Sequence, residues 1–431
     1  MEFVVLGIGV VFIVVSIAVF RLHPFLALIL AAVTVGVLSP NPLRLTDQIR
    51  ESRRELEQRY SAGEITNQDF QRAFESIPSE LKAEARGSQT PAQQSLDALE
   101  LTAQEFGSTA ASIGIVIVLA AIIGQCLLES GAADKITRTL LRILGQERAS
   151  LSLMSSGYFL SIPVFFDTVF FLLIPLARAL RMRTKRDYVA YVMAISGGAV
   201  VSHSLVPPTP GPLIMVENLG PLGLKLGTAI LGGFLLGLIP VGIGLLFSQW
   251  RNSRMNVPFR DAPGSSRDDL EEIVKRSEDE LPSLAASLLP VVLPVVLIAG
   301  HSILKTLDEQ MIVPLGETVL SWTAVVGNKN FALLAGAVFA LVLLKRQRQY
   351  SFGKLRDRLD PAIMSAGVII LITAAGGAFG KMLYRCGIGE ALSNISGGEQ
   401  ISALALIVLA WLLSSLMKIA QGSGTVAMIT A

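Results

Sequence analysis

Charge is scarce in this sequence. Of 431 residues only 16% are Asp, Glu, Lys or Arg, against about 25% in an ordinary soluble domain. Cysteine is scarcer still. Cys126 and Cys386 are the two present, too few and too far apart for a disulfide framework or a zinc site. Histidine occurs three times, at His23, His203 and His301. No Walker, Rossmann or zinc-type spacing appears in a credible context, so nucleotide-driven and metal-centred chemistry find no support. Nor does any nucleophile–base pair stand at a recognisable spacing, which argues against an enzyme. The chain is expected to take no cofactor, no metal and no nucleic acid.

What is abundant is apolar sequence, 52% of the chain with a mean hydropathy of +0.58. It is gathered into long blocks separated by short polar loops, the pattern of a multi-pass helical membrane protein. Residues 1–39 read as two amino-terminal spans joined by the turn Arg21-Leu22-His23-Pro24. Met1–Phe20 lacks a charged leader and a small-residue cleavage site, so it reads as a helix rather than a signal peptide. Residues 40–106 form a polar helical insert. Its second helix starts at Thr66 with Asp69 three residues on, a capping-box arrangement. A third span is expected over Gly107–Glu129. Residues 248–281 are a mixed-charge loop, residues 282–360 connecting spans, and residues 361–431 further apolar blocks.

The stretch from Leu151 to Pro212 carries the candidate chemistry. It begins LSLMSSGYFLSIPVFFDTVFFLLIPL, passes a basic turn, and ends in VVSHSLVPPTPGP. An ionisable group at membrane depth costs about 2.5–3.5 kcal/mol on insertion scales, and is functional by default. Prolines leave carbonyls unpaired, which is tolerated where backbone lines a cavity inside the protein. Asp167 and the neighbouring Thr168 stand at the first such point. Asp167 reads either as a proton-coupling or binding carboxylate, or as a cap for the helix that follows. Ser202, His203, Pro208, Thr209 and Gly211 stand at the second. His203 reads equally as a donor to a substrate or proton relay, and as a partner for a carbonyl freed by the prolines. The hydroxyls read as ligands or as local caps; Pro208 exposes carbonyls, and Gly211 permits close approach. Near the carboxyl end, Gln421, Gly422, Ser423, Gly424 and Thr425 combine two glycines with three hydrogen-bonding side chains.

An internal repeat ties these points together. Ile113–Gly131 aligns with Val368–Gly387, setting Gly124 against Gly380 and Gly131 against Gly387, each 256 positions apart. The same offset sets Asp167 against Ser423. The loop after Gly131 is basic, while Ile388–Gln400 holds Glu390 and Glu399 and no Lys or Arg. By the positive-inside rule, equivalent loops then lie on opposite sides of the membrane. Both flanks of residues 151–176 are basic, so that segment is expected to enter and leave on the cytoplasmic side. The fold class expected is an all-α polytopic membrane protein, an inverted-topology repeat transporter with two re-entrant hairpins and a broken helix. Residues 107–247 form the first transport repeat, with the hairpin at 151–176 and the broken helix at 188–212, and residues 361–431 an incomplete second one.

Three motifs resemble the gluconate permease (GntP) family of proton-coupled sugar-acid transporters. They are Ile162-Pro163-Val164-Phe165-Phe166-Asp167, the run from His203 to Pro212, and Ala420-Gln421-Gly422-Ser423-Gly424-Thr425-Val426-Ala427. The family usually has Glu where Asp167 stands, and commonly a second His where Thr209 stands. The insert at 40–106 is not typical of it, and its members continue past the Gln421 motif, so the chain is expected to be truncated at its carboxyl end. The resemblance implies symport of gluconate or a related small hydroxylated monocarboxylate with protons in a bacterial inner membrane, with Asp167 and His203 in the coupling. It implies membrane lipid as surroundings and leaves room for a homo-oligomer. The alternatives are transport of another organic acid or hydroxy amino acid, and a membrane sensor built on a transporter fold.

Overall fold

A computed structural model describes residues 1–45, 47–49, 51–52, 56, 66, 76, 90–184, 187–220, 223–255, 280–309, 311–388, 391, 403–421 and 424–430. The capping box at Thr66 and Asp69, most of the polar insert, Gly422 and Ser423 fall outside these residues. The described residues are almost entirely helical: α1 Glu2–Ala18, α2 Pro24–Val37, α3 Pro91–Ser130, α4 Ala132–Leu144, α5 Ala149–Leu160, α6 Phe166–Thr184, α7 Tyr188–Leu205, α8 Pro210–Leu219, α9 Leu226–Arg254, α10 Leu284–Glu309, α11 Glu317–Val326, α12 Lys329–Arg348, α13 Phe352–Arg385, α14 Ala403–Gln421 and α15 Gly424–Thr430. Among them, six segments are long and apolar enough to cross a membrane: α3, α7 with α8, α9, α10, α12 and α13. They make the chain an all-α polytopic membrane protein.

Local chemistry sets several of the boundaries. Pro24 opens α2 at a position where its missing N–H costs nothing, and His23 Nδ1 accepts from the Phe25 N–H at 3.3 Å. Asn328 caps α12 by accepting from the Asn330 N–H at 2.9 Å. The third span is longer than the apolar stretch from Gly107. Thr90 Oγ1 accepts the Gln93 N–H, and no breaker interrupts the helix from Pro91 onward. Its 40 residues span about 60 Å at 1.5 Å per residue, twice the hydrocarbon thickness of about 30 Å. The polar first turns therefore stand clear of the hydrocarbon.

The chain divides into two compact units. Unit 1 comprises Met1–Ser112 and Ile370–Ala431, and unit 2 comprises Ile113–Ile369. The core of unit 1 gathers Ile13, Leu28, Val35, Leu43, Leu101, Phe379, Met382, Met417 and Ala427. Within it, α3 and α13 run antiparallel. Glu105 pairs with Lys381 and Arg385, and a Cβ on Gly377 would lie 2.6 Å from Thr109 Cγ2, so advancing along α3 means retreating along α13. These are the first helices of the two repeats, and opposite directions are what an inverted repeat requires. The paired glycines agree as well. Gly131 ends α3 at φ +80° and Gly387 follows α13 at φ +85°, the left-handed conformation that glycine adopts without steric cost.

Unit 2 holds the hairpin. α5 runs parallel to α7: a Cβ on Gly198 would lie 2.1 Å from the Met154 carbonyl oxygen, and Ile162 shares an apolar cluster with Val206 one helical stretch further on. After the break at Ser161–Phe165 the chain returns along α7 in the opposite sense, with Phe165 beside His203 at the top and Thr184 close in sequence to Tyr188 at the bottom. Both feet of the hairpin thus lie at the Tyr188 end of α7. α9 passes antiparallel to α7. A Cβ on Gly233 would lie 2.2 Å from the Leu205 carbonyl oxygen, while Asn252 Nδ2 donates to Asp187 Oδ1 at 2.8 Å and its Oδ1 accepts the Ala190 N–H at 3.3 Å. Pro175 does not end the second arm; it lies inside α6, which continues to Thr184.

Candidate functional site

The interruption between α7 and α8 begins after Leu205, where Val206, Pro207, Pro208 and Thr209 leave the helix. The prolines remove N–H donors, and their rings clash with the preceding turn. The broken ends are tied down locally. Thr209 Oγ1 donates to the Val206 carbonyl at 2.8 Å, and at the hairpin tip Ser161 Oγ donates to the Val164 carbonyl at 3.2 Å. Pro208, Thr209 and Gly211 are buried. Because Gly233 admits the Leu205 carbonyl against α9, the break lies seven residues along α9 from Leu226, about 10 Å into that helix and within its apolar part.

The two interruptions of unit 2 meet. The Phe165 ring lies edge-on to His203, with centroids 6.1 Å apart and planes at 68°. Ser202, one residue before His203, is fully buried, and its Oγ has no hydrogen-bond partner among the described residues. A buried hydroxyl left unpaired costs about 1–3 kcal/mol, an expense that a bound water or ligand would offset. Asp167 and Thr168 belong to the first turn of α6. Thr168 is half-buried, whereas Asp167 is on the exposed side, beside a ladder of aromatic rings in which Phe166 lies 5.7 Å from Phe170 and Phe170 lies 6.0 Å from Phe171. The structure thus brings His203 to the hairpin tip, with Ser202 buried one residue before it, and leaves the Asp167 carboxylate exposed. Phe165 and Ser161 complete the tip, and sequence reasoning passed over both, although each lies within or next to the Ile162–Asp167 motif.

In unit 1, Gln421 is the last residue of α14, and Gly424 and Thr425 open α15. Met417 in α14 and Ala427 in α15, each 2% exposed, belong to the core of the unit. A separate cavity of about 290 Å³ lies in unit 2 between the end of α3, α6 and α12. Its wall from Phe171 to Leu176 is apolar, its polar groups are Glu129, Asp134, Thr137 and Arg348, and none of the sequence-predicted site residues lines it.

An all-helical, multi-pass protein with two interrupted segments meeting inside its apolar zone has the construction of a membrane permease. Comparison with known proteins makes this specific. Residues 91–431 match the GntP family permease, and the chain belongs to that family. It is 34% identical over 333 residues to an uncharacterized permease of Haemophilus influenzae, covering 76% of this chain and 66% of that protein. It is 33% identical to a gluconate permease of Pseudomonas aeruginosa, covering 75% and 69%, and 31% identical to the inner membrane permease YgbN of Escherichia coli, covering 75% and 70%. The chain therefore spans only 66–70% of the length of these relatives. With six candidate spans and inner-membrane relatives, it is a multi-pass protein of the bacterial inner membrane.

Proposed function

We propose that this chain carries gluconate, or a closely related small hydroxylated monocarboxylate, across the inner membrane together with protons. The observation that carries the proposal is the meeting of the hairpin tip and the broken helix at Phe165 and His203, with the Ser202 hydroxyl buried beside them and unpaired. The family membership and the gluconate permeases among its relatives supply the substrate class. His203 offers a ring N–H to a substrate hydroxyl or carboxylate, and Ser202 offers both a donor and lone pairs. Thr209 has committed its proton to Val206, so it serves a polyol as an acceptor. Asp167, open beside the same tip, is the group that takes up and gives back the proton: a carboxylate near a bound anion repels it unless protonated, so the two loads favour travelling together.

The test is labelled gluconate in proteoliposomes. Counterflow, and accumulation under an imposed inward proton gradient that an uncoupler abolishes, are the expected results. His203→Ala is expected to weaken gluconate binding by about 1–3 kcal/mol, the usual cost of removing one partner of a buried hydrogen bond, with folded yield held. Counterflow of neither gluconate nor other sugar acids would overturn the reading. Unchanged binding in a less stable His203→Ala protein would make His203 structural.

A further inference from the structure

The cavity in unit 2 lies where three helices change character. α3 leaves its apolar span at Glu129, Ser130 and Gly131. α6 passes from the apolar run Phe171–Leu176 to Arg178 and Arg181. α12 ends on Lys345, Arg346 and Arg348. The cavity therefore sits where hydrocarbon gives way to water, on the face that the basic residues mark as cytoplasmic. Its apolar wall opens to lipid, because the lining residue Phe171 is 73% exposed on a helix of the apolar zone. Its volume of about 290 Å³ is at the small end of the range for ligand pockets, about 300–1,000 Å³, and suits a headgroup. The polar side carries both signs. The Glu129 side chain is 19% exposed, and among the described residues its carboxylate has only long contacts, 3.4 Å from Gln125 Nε2 and 3.6 Å from Arg358. Charge-assisted hydrogen bonds close to about 2.7–2.9 Å, so this carboxylate has room for a better-placed cation. Asp134 is already held by Arg138 at 3.0 Å. Thr137, buried, donates to the Ala133 carbonyl at 2.9 Å and keeps its lone pairs for a donor. Arg348 is anchored through Nε to the Glu129 carbonyl at 2.7 Å, which leaves its two terminal nitrogens without a partner among the described residues.

We propose that this cavity is a lipid site, which takes the zwitterionic headgroup of phosphatidylethanolamine from the cytoplasmic leaflet. A primary ammonium brings three donors and no acceptor, and the Glu129 carboxylate and the Thr137 lone pairs accept from it. The phosphate takes the terminal N–H groups of Arg348, whose planar fork matches phosphate oxygens. The acyl chains leave past Phe171 along the apolar side of α6. Pockets between membrane helices at the basic face are suited to headgroups, and the signs of this one select among them. A purely anionic headgroup would set its charge against Glu129 and Asp134 with no cation of its own. A choline headgroup carries three methyl groups on nitrogen and has no N–H to donate to Glu129. The site shares no residue with the Phe165–His203 tip, so the proposal does not rest on the sugar-acid reading.

The experiment is native mass spectrometry of the delipidated, detergent-solubilised chain with dioleoyl phosphatidylethanolamine, phosphatidylcholine and phosphatidylglycerol, each titrated alone. The wild type is expected to retain phosphatidylethanolamine about tenfold more tightly than either of the others, the scale of one hydrogen bond to a charged group. Glu129→Gln is expected to bring phosphatidylethanolamine down to the level of phosphatidylcholine and to leave phosphatidylcholine unchanged, which also shows that the variant is folded. Arg348→Gln is expected to weaken all three lipids, since each carries the phosphate. Glycerophosphoethanolamine, the same headgroup without acyl chains, is expected not to displace the lipid at equal concentration. Equal retention of the three lipids by the wild type, or a preference for phosphatidylglycerol, would overturn the proposal. So would an unchanged preference for phosphatidylethanolamine in Glu129→Gln, an equal loss of phosphatidylethanolamine and phosphatidylcholine in that variant, or unchanged retention in Arg348→Gln. Displacement by glycerophosphoethanolamine would assign the cavity to a soluble ligand and overturn the lipid.

Discussion

Two positions 256 residues apart, Glu129 and Arg385, close the first helices of the two repeats, each two residues before a left-handed glycine. The backbone treats them alike and the chemistry treats them oppositely. Arg385 is 8% exposed and held by Glu105 through two nitrogens, at 2.6 and 3.0 Å, and by Asp47 at 2.6 Å. Glu129 meets Arg358 at 3.6 Å, on a side chain half exposed, and its backbone carbonyl accepts from Arg348 Nε at 2.7 Å. Each end carries the sign opposite to its partners: Glu129 meets arginine side chains, and Arg385 meets two carboxylates. What differs beyond sign is burial. One end is sealed by a buried, bidentate network and the other by a loose, wet pair.

That difference makes graded expectations. Arg385→Ala removes the buried guanidinium from Asp47 and from Glu105, which keeps only Lys381 at 3.2 Å. The cost expected is about 3–5 kcal/mol, the scale for breaking a buried pair from one side, and it should appear as a large fall in the thermal midpoint in detergent. Adding Glu105→Gln to that variant should recover part of the loss, since the stranded charge is removed. Next come the glycines. Gly387→Ala and Gly131→Ala each force a side chain into the left-handed region, at roughly 1–2 kcal/mol. Gly387→Ala should be the more costly. Its Cβ would lie 2.7 Å from Asn41 Nδ2, which donates to the Cys386 carbonyl at 3.0 Å, whereas at Gly131 the new atom meets only the flexible end of Leu281 at 2.9 Å. Equal midpoints for the two would show that the ends are equivalent in packing as well as in backbone. Last is Glu129→Gln, expected within about 1 kcal/mol of wild type because exposed pairs contribute little. A loss as large as that of Arg385→Ala would erase the comparison.

Much of this architecture was legible in the sequence, because membrane helices announce themselves by apolar length. α7 begins and ends where its apolar run does, and the hairpin breaks around Pro163 as the basic flanks and the proline together require. The repeat was legible from glycine spacing, and both glycines prove left-handed. Other features were hidden by the same signals. The segment after Gly131 was legible as a basic loop, but its charges alternate with Ala132, Ala133, Ile136 and Thr137, which are buried, making it the amphipathic helix α4. α11 is a ten-residue helix with no buried residue and Trp322 exposed, too short for a hydropathy signal. The second arm of the hairpin runs past the expected end at residue 176 to Thr184, since a proline inside a membrane helix is tolerated where the freed backbone groups are satisfied again. At the candidate site, the prolines and His203 were legible as a break. Phe165 was not, since an aromatic in an apolar run carries no signal until its partner is known.

The central proposal is that Asp167 couples proton movement to movement of the acid, and Asp167→Asn tests it most directly. The variant keeps the size of the side chain and cannot ionise. Measured in proteoliposomes with labelled gluconate, it should still exchange substrate across the membrane at a rate close to wild type. It should fail to accumulate gluconate above equilibrium when a pH gradient is imposed, and Asp167→Glu should retain part of that accumulation. An Asn variant that still concentrates gluconate in response to the gradient would contradict the account.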